Sequence, residues 1–124
     1  MTKGDKGGMS EAIFICESFK RGWEVAKPFN HQQGYDFVIR RNSKEGWKTV
    51  QVKTIYSERG SSMITFRRSQ GGTSGRKLIP YKAGDFDFIC AIGDSEIYLI
   101  PWDVLIGKKS CVSVGSKKYK DFSL

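Results

Sequence analysis

Gln51 and Lys53 stand two residues apart in Val50-Gln51-Val52-Lys53-Thr54, a segment otherwise composed like a β-strand. On extended backbone their side chains leave one face about 6.6 Å apart, while Val50, Val52 and Thr54 take the other. Asp36 stands near the start of the strand-like segment before it, and a hairpin between the two brings Asp36 beside Gln51 and Lys53. Glu11 lies in a helical segment on one stripe with Ile15 and Phe19, so its carboxylate is expected to face the protein body. Two carboxylates, a carboxamide and an ammonium in one small volume are costly unless a hard cation or a phosphate belongs there. Phosphodiester hydrolysis asks for that set. A divalent ion on oxygen ligands neutralises the phosphate and acidifies bound water, while an ammonium orients the nucleophile or stabilises the transition state.

The order and spacing of these residues resemble a known family. Gly7 to Glu11 reads Gly-x-x-x-Glu, followed by Tyr35-Asp36 and by Val50-Gln51-Val52-Lys53-Thr54, and this resembles the core of the PD-(D/E)XK nucleases. Gly22-Trp23, Tyr81, Gly84-Asp85-Phe86-Asp87 and Tyr98-Leu99-Ile100-Pro101 extend the likeness over most of the chain, towards the small homing endonucleases of cyanobacterial group I introns. Archaeal Holliday-junction resolvases share the first half. The resemblance implies an α/β (α+β) restriction-endonuclease-like core, a mixed β-sheet flanked by helices. It implies a Mg²⁺-dependent DNA endonuclease leaving 5′-phosphates, with Mn²⁺ as a substitute ion. By the same resemblance Asp36 binds the metal, Gln51 takes the usual acidic ligand position, the Val52 carbonyl completes the set, Lys53 is the catalytic lysine, and Glu11 is the helical acid, reaching the metal directly or through water. Most of the superfamily has Glu or Asp where Gln51 stands, and a neutral amide oxygen is the weaker magnesium ligand; the homing branch resembles this chain in carrying Gln. Two alternatives share these residues: a structure-selective junction resolvase, and a DNA-binding module that has lost catalysis.

The elements that must position the four side chains follow from local pattern. Ser10 is read as the N-cap of a helix running to Arg21-Gly22. Residues 23–26 form a short strand stopped by Pro28, residues 35–40 and 47–56 the two strands of the hairpin, and residues 42–46 its turn. Residues 57–62 are a break and 63–66 a short strand. The Gly/Ser-rich stretch 67–77 is read as a mobile basic loop that contacts DNA through Arg67, Arg68, Arg76 and Lys77. Residues 86–92 and 97–100 make a second hairpin, Asp103 caps a short helical turn, and residues 111–114 add an edge strand before a Lys-rich tail.

The bulk properties agree with this outline. The 124 residues suit a single domain spanning 1–124. Lys and Arg number 21 against 13 Asp and Glu, and a net charge of +8 favours a polyanionic partner, with DNA the commonest. A lone domain of this size covers little duplex and two strands call for two sites, so a homo-oligomer, dimer or tetramer, is expected. The polar, Gly-rich start and the absence of a long apolar run predict a cytoplasmic protein away from membranes, and the resemblance implies a prokaryotic or phage-encoded, nucleoid-associated one. Cys16, Cys90 and Cys111 are read as buried, reduced core residues. No nucleotide cofactor is expected, because Gly75 is followed by Arg76 and Gly107-Lys108 has Trp102 where a phosphate loop begins with glycine. His31 is read as a solvated loop residue, and Asp85 and Asp87 as structural caps.

Overall fold

Thr2 opens the first helix with a capping box: its hydroxyl accepts the Asp5 N–H at 3.1 Å, and the Asp5 carboxylate accepts the Thr2 N–H at 3.1 Å. The helix, α1, therefore spans Lys3–Lys20 and begins well before Ser10. Ser10 is not its cap. It is an interior residue only 3% exposed, with Oγ 2.8 Å from Thr54 Oγ1. The inward row of α1 is Ser10, Phe14 and Ser18, whereas Phe19 is 68% exposed, so the expected Glu11–Ile15–Phe19 stripe lies one position off the buried face. Serine hides in this row because its polarity is absorbed locally: Ser18 Oγ donates to the Phe14 carbonyl at 2.8 Å. The helix ends where Gly22, at φ +73°, turns the chain. The Gly22 and Trp23 N–H groups then return to the Phe19 and Ser18 carbonyls at 3.1 and 2.9 Å.

The computed structural model describes residues 2–29, 34–65, 67–70, 77–106 and 111–124. After α1 come β1 (Glu24–Ala26), β2 (Phe37–Arg40), β3 (Lys48–Thr54), β4 (Tyr56–Glu58), β5 (Ser61–Thr65), β6 (Arg67–Gln70), β7 (Lys77–Pro80), β8 (Phe88–Ile92), β9 (Ile97–Pro101), α2 (Trp102–Leu105), β10 (Cys111–Ser113) and a closing 3₁₀ turn, Lys117–Phe122. The main sheet has the order β1-β2-β3-β8-β9. Its pairs are antiparallel except for the central β3 and β8, which run parallel, so the sheet is mixed as expected. A second sheet, β10-β5-β4, and the two-stranded β6-β7 lie in the crossover between β3 and β8 and the segment after β9.

Alternation along β3 and β8 divides the core into two layers. Val50, Val52, Phe88, Cys90 and Ile92 pack with Phe37, Ile39 and Leu99 beneath Phe14 of α1. Ile89, Ala91 and Ile100 take the opposite face, covered by Ile64 of β5, Trp102 and Leu105 of α2, Val114, and Tyr119 of the 3₁₀ turn. The Lys-rich end is thus folded back, with Tyr119 buried and its flanking lysines outward.

Four further expectations are corrected. The segment 57–62 is a tight hairpin rather than a break. Glu58 pairs with Ser61, and Arg59 and Gly60 between them take positive φ values of 52° and 80°, the twist that suits a two-residue turn. The basic stretch 67–77 starts in β6 and ends at the first residue of β7, and the two form an antiparallel ladder from Arg67↔Pro80 to Gln70↔Lys77; backbone pairing needs no hydrophobic period, so pattern alone could not reveal it. Residues 71–76 lie outside the described residues. Cysteine burial also differs: Cys90 is buried, but Cys111 is half-buried and Cys16 exposed, because the shifted inward row of α1 turns residue 16 outward, and all three are free. Asp103 lies inside α2, whose N-cap is Pro101 without a side-chain bond.

The Ser10–Thr54 bond joins α1 to β3 beside the Phe14 packing, one residue before Glu11. Ser10→Ala leaves the Thr54 hydroxyl without its protein partner in a half-closed site, and is expected to cost about 1–2 kcal/mol of unfolding free energy. Urea titrations of Ser10→Ala, Thr54→Val and the double variant check this: the double variant should lose less than the sum of the two.

Candidate active site

The site forms where β2 stops short of β3. Phe37 pairs with Val50 as the last rung of the ladder, and the Asp36 N–H still reaches the Val50 carbonyl at 2.9 Å. The next outward-pointing donor of β3 is the Val52 N–H, and it meets the Asp36 side chain instead of backbone: Asp36 Oδ2 accepts it at 2.9 Å. A strand residue sends its N–H and C=O to the same side, so the Val52 carbonyl also points to the edge where β2 has ended, alongside the Asp36 carboxylate.

Lys53 stands on the opposite face from Val52 and shares it with Gln51; in the parallel register Gln51 lies beside Ile89 and Lys53 beside Ala91. Both side chains are half-buried. Lys53 Nζ donates to the Tyr81 hydroxyl at 2.9 Å. From the α1 side, Glu11 accepts Lys27 Nζ at 2.7 Å, and the same ammonium lies 4.8 Å from the centre of the Phe37 ring.

Electrostatics tie these groups into one cluster. Burial pushes the Asp36 carboxyl above the usual carboxylate range. The Val52 N–H pulls it back, the Glu11 charge raises it further, and Lys53 and Lys27 lower it. Burial likewise depresses the Lys53 ammonium, with the Asp36 charge opposing. Asp36 thus feels Glu11 from one side of the sheet and Lys53 from the other. Glu11, Asp36 and Lys53 are brought within electrostatic reach, while Gln51 shares the Lys53 face and hydrogen-bonds to none of the other three.

Lys27 was not legible from spacing. It follows β1, and only the Ala26↔Val38 register places it beside Phe37. Tyr81 is part of the quoted pattern, yet no local signal connects it with a lysine 28 positions earlier. Asp85 and Asp87 are caps as expected: Asp85 Oδ2 accepts the Lys82 N–H at 2.6 Å, and Asp87 Oδ2 the Thr49 N–H at 2.9 Å. Arg67, Arg68 and Lys77 have backbone positions in β6 and β7, but their side chains, with Arg76 and His31 altogether, lie outside the described residues.

Among the described residues no three His, Cys, Asp or Glu side chains gather as a metal cluster. The oxygen donors at the edge are of another kind: the Asp36 carboxylate and Val52 carbonyl side by side, with the Gln51 amide on the adjoining strand position. Such hard neutral and anionic oxygens suit Mg²⁺ or Mn²⁺ and not a soft metal. An Asp36 charge held against burial and a neighbouring acid is also what an added cation would relieve.

Comparison with known proteins agrees with this geometry. Protein 5.3 of Escherichia phage T7 is 31% identical over 115 residues, which cover 92% of this chain and 93% of that protein. The solved structure of a bacterial homing endonuclease, I-Ssp6803I, matches with a TM-score of 0.79 and 27% identity, over 97% of this chain and 82% of that one. A family model described as PD-(D/E)XK endonuclease matches residues 1–121. With nearly the whole chain matched by that model, the chain belongs to the PD-(D/E)XK endonuclease family.

Proposed function

We propose that this endonuclease hydrolyses phosphodiester bonds of duplex DNA in a Mg²⁺-dependent reaction, as a homing-type enzyme working as a homo-oligomer. The observation that carries the proposal is the Asp36 carboxylate, which is bound to the Val52 N–H and flanked by Glu11 and Lys53. Asp36, the Gln51 amide oxygen and the Val52 carbonyl would hold the metal, and Glu11 would reach it directly or through water. When bound, Mg²⁺ neutralises charge on the attacked phosphate and acidifies coordinated water.

The chain's own residues supply the rest. Lys53, held between Asp36 and Tyr81, presents its ammonium to a non-bridging phosphate oxygen or to the attacking water, where charge develops in the transition state. Asp36 fixes the metal edge to β3 through Val52, so metal and lysine are referenced to one strand. Lys27 restrains the Glu11 carboxylate and lends the mouth of the site positive charge. Arg67, Arg68, Arg76 and Lys77, in and around the β6–β7 ladder, are proposed to grip the DNA backbone. The net charge of +8 supports a polyanionic substrate. No described helix is long and apolar enough to cross a membrane.

Supercoiled plasmid, linear duplex and four-way junctions, each incubated with Mg²⁺, Mn²⁺ or EDTA, test the proposal. Cleavage of plasmid and duplex with 5′-phosphate ends, abolished by EDTA, is the expected result. Cutting confined to junctions would make the chain a resolvase. Salt-sensitive binding without any nicking would make it a binder whose Gln51 leaves too weak a metal site. Sedimentation of the same preparation should show a dimer or tetramer.

A further inference from the structure

The Lys53 ammonium has two partners of different kinds: Asp36 acts on it through charge, and Tyr81 binds it directly. Lys53 Nζ is 2.9 Å from the Tyr81 hydroxyl and 4.9 Å from its ring centre, which puts it at the oxygen end of the phenol and not over the ring face. Tyr81 is itself well held. Its ring meets Phe86 and Trp102 edge-on, with centroids 5.0 and 6.1 Å away. Trp102 Nε1 donates to the Lys82 carbonyl at 2.9 Å, and the Lys82 N–H is tied to Asp85, so the backbone directly after Tyr81 is pinned on both sides. A lysine on four rotatable bonds gains a fixed address from such a partner.

We propose that Tyr81 is a positioning residue for the reaction, holding the Lys53 ammonium at the site through its hydroxyl. It also follows immediately after Pro80, the last residue of β7. The ladder proposed to grip DNA therefore ends one peptide bond from the group that holds the catalytic lysine, so DNA engagement at the ladder and lysine placement share one stretch of backbone.

This proposal rests on the nuclease function proposed above, and its test separates the two. The full chain is prepared as wild type, Tyr81→Phe, Tyr81→Leu and Lys53→Ala. Single-turnover cleavage of supercoiled plasmid in Mg²⁺ gives the saturated rate and the half-saturating concentration. Correlation of ¹⁵N-labelled lysine ammonium groups by NMR, without metal or DNA, gives a second readout, with Lys53→Ala assigning the Lys53 signal.

Tyr81→Phe keeps the ring and its packing, so its melting temperature should stay near wild type. Its saturated rate should fall on the order of 10- to 100-fold, as expected for a misplaced catalytic group, while the half-saturating concentration is unchanged. The slowly exchanging Lys53 ammonium signal should disappear. Tyr81→Leu should show the same loss of signal with lower stability. Tyr81→Phe that cleaves at the wild-type rate, or that retains the Lys53 signal, overturns the proposal. A wild type that cuts no DNA overturns the nuclease function instead, and the ammonium signal then still tests whether Tyr81 holds Lys53.

Discussion

Replacing Asp36 by asparagine is expected to make the metal-free protein more stable and the enzyme inactive. The carboxyl is pushed above its ordinary range by burial first, with Glu11 adding to the rise and the Val52 N–H, Lys53 and Lys27 opposing it. The net shift is upward, so the charge is disfavoured in the folded chain even after its favourable partners are counted. A carboxyl whose folded-state pKa lies above its unfolded value, about 3.9, binds its proton more tightly in the native state. Stability then falls as pH rises from the unfolded value to the folded one, and above that window the whole cost is present. Asparagine removes the charge and keeps an oxygen for the Val52 N–H. In EDTA at neutral pH the variant should melt above wild type.

Mg²⁺ should reverse the order. A ligand at one hundred times its dissociation constant stabilises the wild type by about 2.7 kcal/mol, and a chain without the carboxylate loses most of that gain. Thermal melts of both proteins in EDTA and in Mg²⁺ check it, alongside plasmid cleavage, which should fall on the order of 10³-fold or more. An Asp36→Asn protein that melts below wild type in EDTA, or still gains stability from Mg²⁺, would show that Asp36 is a structural cap and not a metal ligand.

The hairpin itself was legible from local pattern, since the strand-like segments 35–40 and 47–56 bracket turn residues, but that β2 begins only at Phe37 and leaves the Asp36 side chain to take the Val52 N–H was not. The β2–β3 pair confirms the hairpin. The partners that tune the site were not legible, for a physical reason: each depends on contact between elements whose pairing no local signal specifies. The parallel pairing of β3 with β8 closes a long crossover, and only it places Gln51 and Lys53 beside Ile89 and Ala91. Tyr81 returns to Lys53 at the end of that crossover. The phase of α1 failed for a different reason. Serine and glycine carry little hydrophobic signal, so Ser10 and Ser18, both buried, were outweighed by Ile15 and the exposed Phe19. Glu11 neighbours Ser10, which bonds to Thr54, and its carboxylate meets Lys27 in an exposed ion pair.

Lys53→Ala carries the other large effect, and its value is that binding and chemistry should separate. The ammonium is half-buried, depressed by burial, and directed at Asp36 and Tyr81 instead of open solvent. Such a group adds little to the counterion release that drives DNA association, so affinity for a linear duplex in Ca²⁺ should change by less than about threefold, and the salt slope by less than about one unit. The transition state loses a fixed positive charge in a partly desolvated site, a loss on the order of 10²- to 10⁴-fold in rate. Stability should hold, because removing an ammonium that burial disfavours offsets the packing lost with its stem. Lys53→Arg should recover little activity, since a planar guanidinium does not reproduce the single ammonium donor that Lys53 presents to the Tyr81 hydroxyl. Single-turnover cleavage and duplex titration on the three proteins decide the matter. If Lys53→Ala cuts within tenfold of wild type, the chemistry belongs elsewhere, and Lys53 is a buried partner for Asp36 and nothing more.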